Sequence, residues 1–262
     1  MESVEAQAGP SVFDLSGRLA VVTGARRGIG LAVAEALAAS GADILGVSRE
    51  MEPDGGEAGR RVAALGRQFI PVPADLSDRA SVRRLVARIA ELERPVDILV
   101  NNAGTIYRQP AVAYDLGEWD RVLEVNLSSQ FALTQAIGGQ MVERGYGKVI
   151  FTASLLSFQG GINVAAYTAS KHGLAGLTKA LANEWASAGV NVNAIAPGYI
   201  ATDNTQALRD DPDRSRAILE RIPTGRWGEP SDIAWTAVFL ASAASDYVSG
   251  TVIPVDGGWL GR

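Results

Sequence analysis

Tyr167 and Lys171 stand four residues apart in a segment of helical periodicity, which places a phenol and an ammonium on one helix face, a single turn from each other. A tyrosine of ordinary pKa, about 10, is a poor proton acceptor near neutrality, and bringing it to about 7 requires roughly 4 kcal/mol of preferential phenolate stabilisation. Nearby positive charge is the means of supplying it. Ser154 lies 13 residues before the tyrosine, at the end of an apolar run that reads as a strand. A hydroxyl there can donate to the substrate oxygen to which Tyr167 passes a proton. Tyr-x-x-x-Lys alone usually means surface packing, so its weight depends on what else the chain carries.

It carries a dinucleotide-type turn. An apolar run ends at Thr23 and is followed by Gly24, Ala25, Arg26, Arg27, Gly28, Ile29 and Gly30, then by an alanine-rich helical pattern. Gly24 permits the tight turn, Gly28 lets backbone approach a pyrophosphate, and Gly30 lets helix and strand pack closely. The helix start supplies N–H groups and partial positive charge. The spacing G-x-x-x-G-x-G departs from the commoner G-x-G-x-x-G, and only the strand before it and the helix after it give it meaning. An oxidised nicotinamide bound there would add to the Lys171 charge acting on the phenol.

After the second apolar run, where an acid usually meets the ribose 2′-OH of NAD, stand Ser48 and Arg49. A guanidinium at that point, with Arg27 beside the glycine turn, suits a 2′-phosphate, so NADP is expected ahead of NAD. Against this, the arginines could be merely solvated, and Glu50 could swing in to hold a 2′-OH. Asp75 and Leu76 follow the third run, where a carboxylate can accept from an adenine amino group. Asn101, Asn102, Ala103 and Gly104 follow the fourth. Asn101 reads equally as a ligand contact and as a turn former, and the small pair after Asn102 leaves room for a flat ring or a ribose.

These groups need a frame. Apolar runs suited to buried parallel strands lie at 19–23, 44–47, 69–72, 98–100, 149–152, 190–195 and 251–255, and helix-period segments at 29–40, 81–93, 119–142, 165–186 and 231–240. Their alternation predicts one α/β domain, a doubly wound seven-stranded parallel sheet of Rossmann type with helices on both faces and ligands at the carboxyl ends of the strands. Residues 1–12 read as a disordered tail and 13–262 as the catalytic domain. The polar stretch of about 199–228 interrupts the rhythm and reads as a substrate lid.

The 262 residues carry a net charge of −5, with Lys and Arg scattered, which disfavours a nucleic-acid surface. With no cysteine and a single histidine, His172, disulfides, thiolate chemistry and a zinc cluster are excluded, so no metal is expected. His172, adjacent to Lys171, points about 100° away around the helix. The N-terminal residues lack the apolar core of a signal peptide, and no apolar stretch has membrane-spanning length, so the expected compartment is the cytoplasm.

From about Leu15 to Arg262 the chain resembles the short-chain dehydrogenase/reductase family, on Thr23 to Gly30, Asp75, Asn101 to Gly104, Asn126, the Ser154, Tyr167 and Lys171 set, and Pro197 with Gly198. The resemblance implies that Tyr167 and Lys171 also touch the nicotinamide ribose, that Asn126 anchors a water relaying protons to Lys171, and that Pro197, Gly198, Ile200 and Thr202 border the cofactor. It also implies a homotetramer, for which the tail from Val255 and the helices around Trp119 and Trp185 are candidate interface pieces. Within the family, SFQGG (157–161), NEWA (183–186), NVNAIAPGYIAT (191–202), NTQ (204–206), IPTGRWG (222–228), residues 245–248 and DGGWL (256–260) resemble the sugar-acid branch acting on 2-deoxy-D-gluconate and 2-dehydro-3-deoxy-D-gluconate.

For such a substrate Arg108 is the expected carboxylate partner, since a guanidinium matches a carboxylate bidentately, and Gln159, Asn204 and Gln206 are expected at the hydroxyls. An acyl-carrier-protein ketoreductase is the alternative within the family, and a catalytically silent NADP-binding sensor the alternative outside enzymes.

Overall fold

The computed structural model describes residues 11–262. The expected tail of residues 1–12 lies almost wholly outside the described residues, and Ser11 and Val12, which are described, are exposed.

Seven strands form one fully parallel sheet: β1 (Leu19–Thr23), β2 (Asp43–Ser48), β3 (Phe69–Pro73), β4 (Ile98–Asn101), β5 (Gly147–Thr152), β6 (Val190–Pro197) and β7 (Val252–Val255), in the order β3-β2-β1-β4-β5-β6-β7. The doubly wound sheet is therefore as expected. Its direction of winding reverses between β1 and β4, the point at which such sheets open a crevice at their carboxyl ends.

Each strand sends alternate residues to opposite faces. Leu19, Val21, Leu45, Leu99, Val149 and Phe151 join one buried cluster; Ala20, Val22, Ile44, Ile98, Val100 and Ile150 join the other. The first cluster is closed by α3 (Arg79–Ala90), α5 (Ser129–Arg144) and α6 (Ala165–Trp185), the second by α1 (Gly28–Ala39), α2 (Gly56–Ala64) and α9 (Pro230–Ala241). Both faces of every central strand are covered, which is why these runs are continuously apolar rather than alternating. At the far ends of the strands, Asp97 accepts from the backbone N–H of Leu19 at 3.1 Å and pairs with Arg18 at 3.2 Å, tying β1 and β4 together away from the crevice.

The segment expected as one helix, 119–142, is three pieces. α4 (Leu116–Leu123) runs into a π-helical turn at Glu124–Ser128 before α5 begins. The extra residue in that turn rotates Asn126 inward, where its amide grips the Thr105 backbone. Such bulges inside helices commonly mark functional sites. α2 was not anticipated: four glycines between 55 and 66 weaken its helical signature. The polar stretch after β6 contains α7 (Gln206–Arg209) and α8 (Pro212–Leu219), and its Ile218 and Ile222 pack with Leu155 and Trp259 in a small third cluster.

Candidate active site

A cleft of 850 Å³ opens along the carboxyl ends of the strands. At one end are Gly24, Arg26, Arg27, Gly28, Ile29 and Gly30, with Ser48 and Arg49 after β2, and Asp75 and Leu76 after β3. Asn102, Ala103 and Gly104 after β4 lie in its middle, with Pro197, Gly198, Ile200 and Thr202 after β6. Ser154, Tyr167 and Lys171 lie at the reactive end together with Arg108, Gln159 and Asn204. Two expected residues do not line the cleft. Asn126 sits behind it, and Gln206 is turned away, because its Nε2 donates to Asp210 at 2.6 Å and its carbonyl accepts from Arg209. Asn101 also faces away, fully buried with its Nδ2 on Thr134 at 2.8 Å, so it is a structural residue. His172 is exposed and bonds to the Thr168 carbonyl.

The cofactor end is built by close packing. Gly24 and Gly28 adopt φ of 71° and 58°, a region open to glycine. A Cβ at Gly30 would fall 2.1 Å from the Gly24 carbonyl oxygen and 2.5 Å from Asn102 Nδ2. Asn102 is itself held by β1: its Nδ2 donates to the Thr23 carbonyl, and Thr23 Oγ1 accepts from the N–H groups of Asn102 and Ala103, each at 3.0 Å. Gly30→Ala therefore pushes helix, turn and Asn102 apart. The expected result is destabilisation of about 2 kcal/mol or more in urea unfolding, with loss of dinucleotide binding.

Among the described residues no side chain caps α1, so its first N–H groups are left for a ligand. An anion at that helix start is the fitting occupant. The second-strand turn is crowded with charge. Ser48 Oγ accepts from the Arg26 N–H at 3.2 Å, the Arg26 side chain reaches Glu52 at 3.0 Å and Glu50 at 3.7 Å, and Arg49 reaches Glu50 at 3.2 Å. Asp75 accepts from the backbone and hydroxyl of Ser77 at 2.8 and 2.7 Å. Burial opposes its ionisation, but these bonds and the charges of Arg49 and Arg121 hold its carboxyl below the usual range.

At the reactive end, α6 presents Tyr167 and Lys171 on one face, with the ammonium 5.5 Å from the phenol ring centre and donating to the Thr152 carbonyl at 2.5 Å. Lys171 thus bridges α6 to the end of β5, the strand that leads to Ser154. Behind them Asn126 accepts from the Thr105 N–H at 2.8 Å and donates to the Thr105 carbonyl at 2.9 Å and to Ser170 Oγ at 3.2 Å. The π-turn fixes that orientation.

The charges act differently from the sequence-based expectation. Burial pushes the Tyr167 phenol above its ordinary value, opposed by a hydrogen bond with Ser154 and by the charge of Arg108. Lys171, 3% exposed, is itself lowered by burial to about 8. Without a bound cation the phenol stays protonated.

That value fixes a sign. Between about 8 and 10.5 the unfolded chain binds more protons at Lys171 than the folded one, so this residue makes stability rise with pH across that window. Tyr114, Tyr146, Tyr167 and Tyr199, all raised by burial, hold their protons longer when folded and reverse the trend only above pH 10. Urea unfolding of the cofactor-free protein should show the rise, at most about 3 kcal/mol, and Lys171→Met should remove it.

Sequence reasoning passed over Tyr199, Leu208, Arg214, Arg221 and Trp259, which also line the cleft. One signal was available: Arg221 has no acid three or four residues away to pair with along a helix. Among the described residues no cluster of three or more His, Asp or Glu is placed to hold a metal. A second cavity, of 740 Å³, lies on the outer face among α3, α5 and α6, beside Phe131, Gly173 and Gly176 and away from Ser154, Tyr167 and Lys171.

A doubly wound sheet with an uncapped glycine-turn helix at its switch point and a serine, tyrosine and lysine meeting in the same cleft defines an NAD(P)-dependent oxidoreductase acting on CH–OH groups. The chain belongs to the short-chain dehydrogenase/reductase family: residues 24–260 match a family model described as Enoyl-(Acyl carrier protein) reductase. It is 55% identical over 250 residues to a 2-dehydro-3-deoxy-D-gluconate 5-dehydrogenase of Pseudoalteromonas atlantica, covering 95% of this chain and 98% of the relative. It is similar to a crystal structure from Agrobacterium tumefaciens described as a 2-deoxy-D-gluconate 3-dehydrogenase with NADP bound (52% identity, TM-score 0.89, covering 97% of this chain and 100% of that one). A Beutenbergia cavernae structure described as an NAD(P)-dependent gluconate 5-dehydrogenase, with NADP at low occupancy, gives 50% identity and a TM-score of 0.92, covering 97% and 100%.

Proposed function

We propose that the protein interconverts a keto and a hydroxy group of a deoxy sugar acid, with NADP preferred over NAD. The observation that carries this reading is the convergence of Ser154, Tyr167 and Lys171 on the cleft that also holds the uncapped start of α1. The substrate class is supported by relatives above 50% identity whose names are those of sugar-acid dehydrogenases.

When bound, the nicotinamide supplies or accepts the hydride. Tyr167 gives the proton to the nascent alkoxide in reduction and removes it in oxidation, while Ser154 donates to the same oxygen and holds it in line. Lys171, fixed by the Thr152 carbonyl, holds the nicotinamide ribose. Asn126 anchors the water through which protons reach Lys171. Gly24 to Gly30, Ser48, Arg49, Asp75, Leu76, Asn102 to Gly104 and the Pro197, Gly198, Ile200 and Thr202 wall cradle the dinucleotide. Arg108, Gln159 and Asn204 meet the polar groups of the substrate, beneath a lid formed by about 199–228 within the single domain 13–262.

A substrate panel tests the reading. Deoxy keto sugar acids should be reduced far faster than 3-oxoacyl thioesters, with NADPH favoured. The reverse order would establish the ketoreductase alternative, and NADP binding without turnover of anything would leave only a sensor. The apolar cavity among α3, α5 and α6, beside the exposed Phe131, supports burial of that face in a homotetramer; a monomer in sedimentation would refute it. The cytoplasm is the proposed compartment, and among the described residues no helix is long and apolar enough to cross a membrane.

A further inference from the structure

The arginines of the cleft fall into two sets. Arg26, Arg27, Arg49 and Arg121 are paired, with Glu52, Asp203, Glu50 and Glu118 respectively. Arg108, Arg214 and Arg221 line the same cleft and make no ion pair among the described residues. Unpaired cations gathered in a concave site are complementary to an anion.

The three are not equivalent. Arg108 acts on the phenol of Tyr167, whereas Arg214 and Arg221 act on the hydroxyl of Tyr199, immediately after Gly198. The Arg221 guanidinium lies 3.9 Å over the ring of Trp259, which is 4% exposed. Trp259 packs against Tyr199 at 4.7 Å, and Tyr199 meets Trp227 edge-on at 5.6 Å. One face of the guanidinium is thus fixed on an aromatic base that is itself immobilised. Its edge N–H groups stay available, an arrangement that pre-organises bidentate recognition of a planar anion. Tyr199 Oη makes no hydrogen bond among the described residues, which leaves a donor beside the two cations.

We infer that Arg221 and Arg214, with the Tyr199 hydroxyl, form the carboxylate subsite of the substrate, and that Arg108 does not. The inference rests on the sugar-acid reading above and moves the carboxylate off the residue that the sequence favoured.

The test compares Arg221→Gln, Arg214→Gln and Arg108→Gln on 2-dehydro-3-deoxy-D-gluconate in its hydroxy or keto form and on the matching carboxamide, which keeps shape and loses charge. The expected result is a KM for the acid raised about 10- to 100-fold in Arg221→Gln, kcat changed little, and the preference for acid over amide lost. Arg221→Lys should recover part of it. Arg108→Gln should keep the preference. The opposite assignment, preference lost in Arg108→Gln and kept in Arg221→Gln, overturns the inference, as does a matching loss of NADP affinity, which would put the arginine on a cofactor phosphate. Should Arg221→Gln fail to fold because it supports Trp259, Arg214→Gln, at an exposed position, carries the same expectation.

A second measurement is independent of turnover. Calorimetric titration of the protein loaded with NADPH, which cannot accept a hydride from an alcohol, with D-gluconate and with neutral D-glucitol should show preference for the acid, abolished by Arg221→Gln. If the wild type reduces no sugar acid yet shows this preference, the activity reading fails and the subsite stands. If it shows no preference, the subsite fails whatever the enzyme's reaction.

Discussion

Tyr167→Phe is expected to lower kcat by about 10²- to 10⁴-fold while NADPH affinity changes only a few-fold. Phenylalanine keeps the ring against which Lys171 lies at 5.5 Å, so the packing of α6 and the Lys171 bond to the Thr152 carbonyl persist. What goes is the single proton donor that can reach the substrate oxygen beside Ser154. Single-turnover reduction followed at the nicotinamide absorbance, with a separate binding titration, separates the two effects. Equal loss of binding and rate would mean that the phenol holds the cofactor rather than the proton. The residual reaction should also lose its pH dependence. In the cofactor-free site burial keeps Tyr167 protonated, which suits reduction at neutral pH. Oxidation needs the phenolate, so its rate in the wild type should climb toward alkaline pH more steeply than that of reduction.

The frame of this site is legible because it depends on short-range signals. The five inner apolar runs are buried on both faces of the sheet and cannot be exposed without cost, so their hydrophobicity is continuous; the edge strands β3 and β7 are only partly covered, yet all seven runs agree with the strands to within a residue or two. Tyr167 and Lys171 are legible for a similar reason, since a helix converts a spacing of four into a shared face. The failures are those of long-range pairing. Nothing within 119–142 announces a π-turn, because its cause is the backbone of Thr105 some 21 residues away. Gln206 has the right chemistry for a hydroxyl, but its neighbours Arg209 and Asp210 satisfy it first. Asn101 and Asn102 are adjacent and alike, and only strand alternation sends one into the core and the other into the cleft. Arg221 and Trp259 are 38 positions apart in sequence and 3.9 Å apart in space, beyond what any local pattern encodes.

The second large effect concerns the cofactor. Arg49→Asp should shift the ratio of kcat/KM for NADP over NAD by about 10²- to 10³-fold toward NAD. A guanidinium lost from a phosphate removes roughly 1.5 to 3 kcal/mol, and a carboxylate at the same place repels the phosphate while accepting from a 2′-OH. The surroundings argue that Arg49 is the residue to change. Arg26 is already engaged by Glu52 at 3.0 Å and by Glu50 at 3.7 Å, with its N–H on Ser48. Arg27 is drawn to Asp203 at 2.6 Å, on the far wall. Among the described residues the one ion pair of Arg49 is with the exposed Glu50 at 3.2 Å, a pairing worth little in water and easily exchanged for a phosphate. The same geometry gives Glu50 a definite sign: it competes with the phosphate for Arg49 and Arg26, so Glu50→Gln should move the ratio the other way, by a smaller factor. An unchanged ratio in Arg49→Asp would assign the phosphate to Arg26 and Arg27, and the double variant Arg26→Ala, Arg27→Ala would then have to show the loss that Arg49→Asp did not.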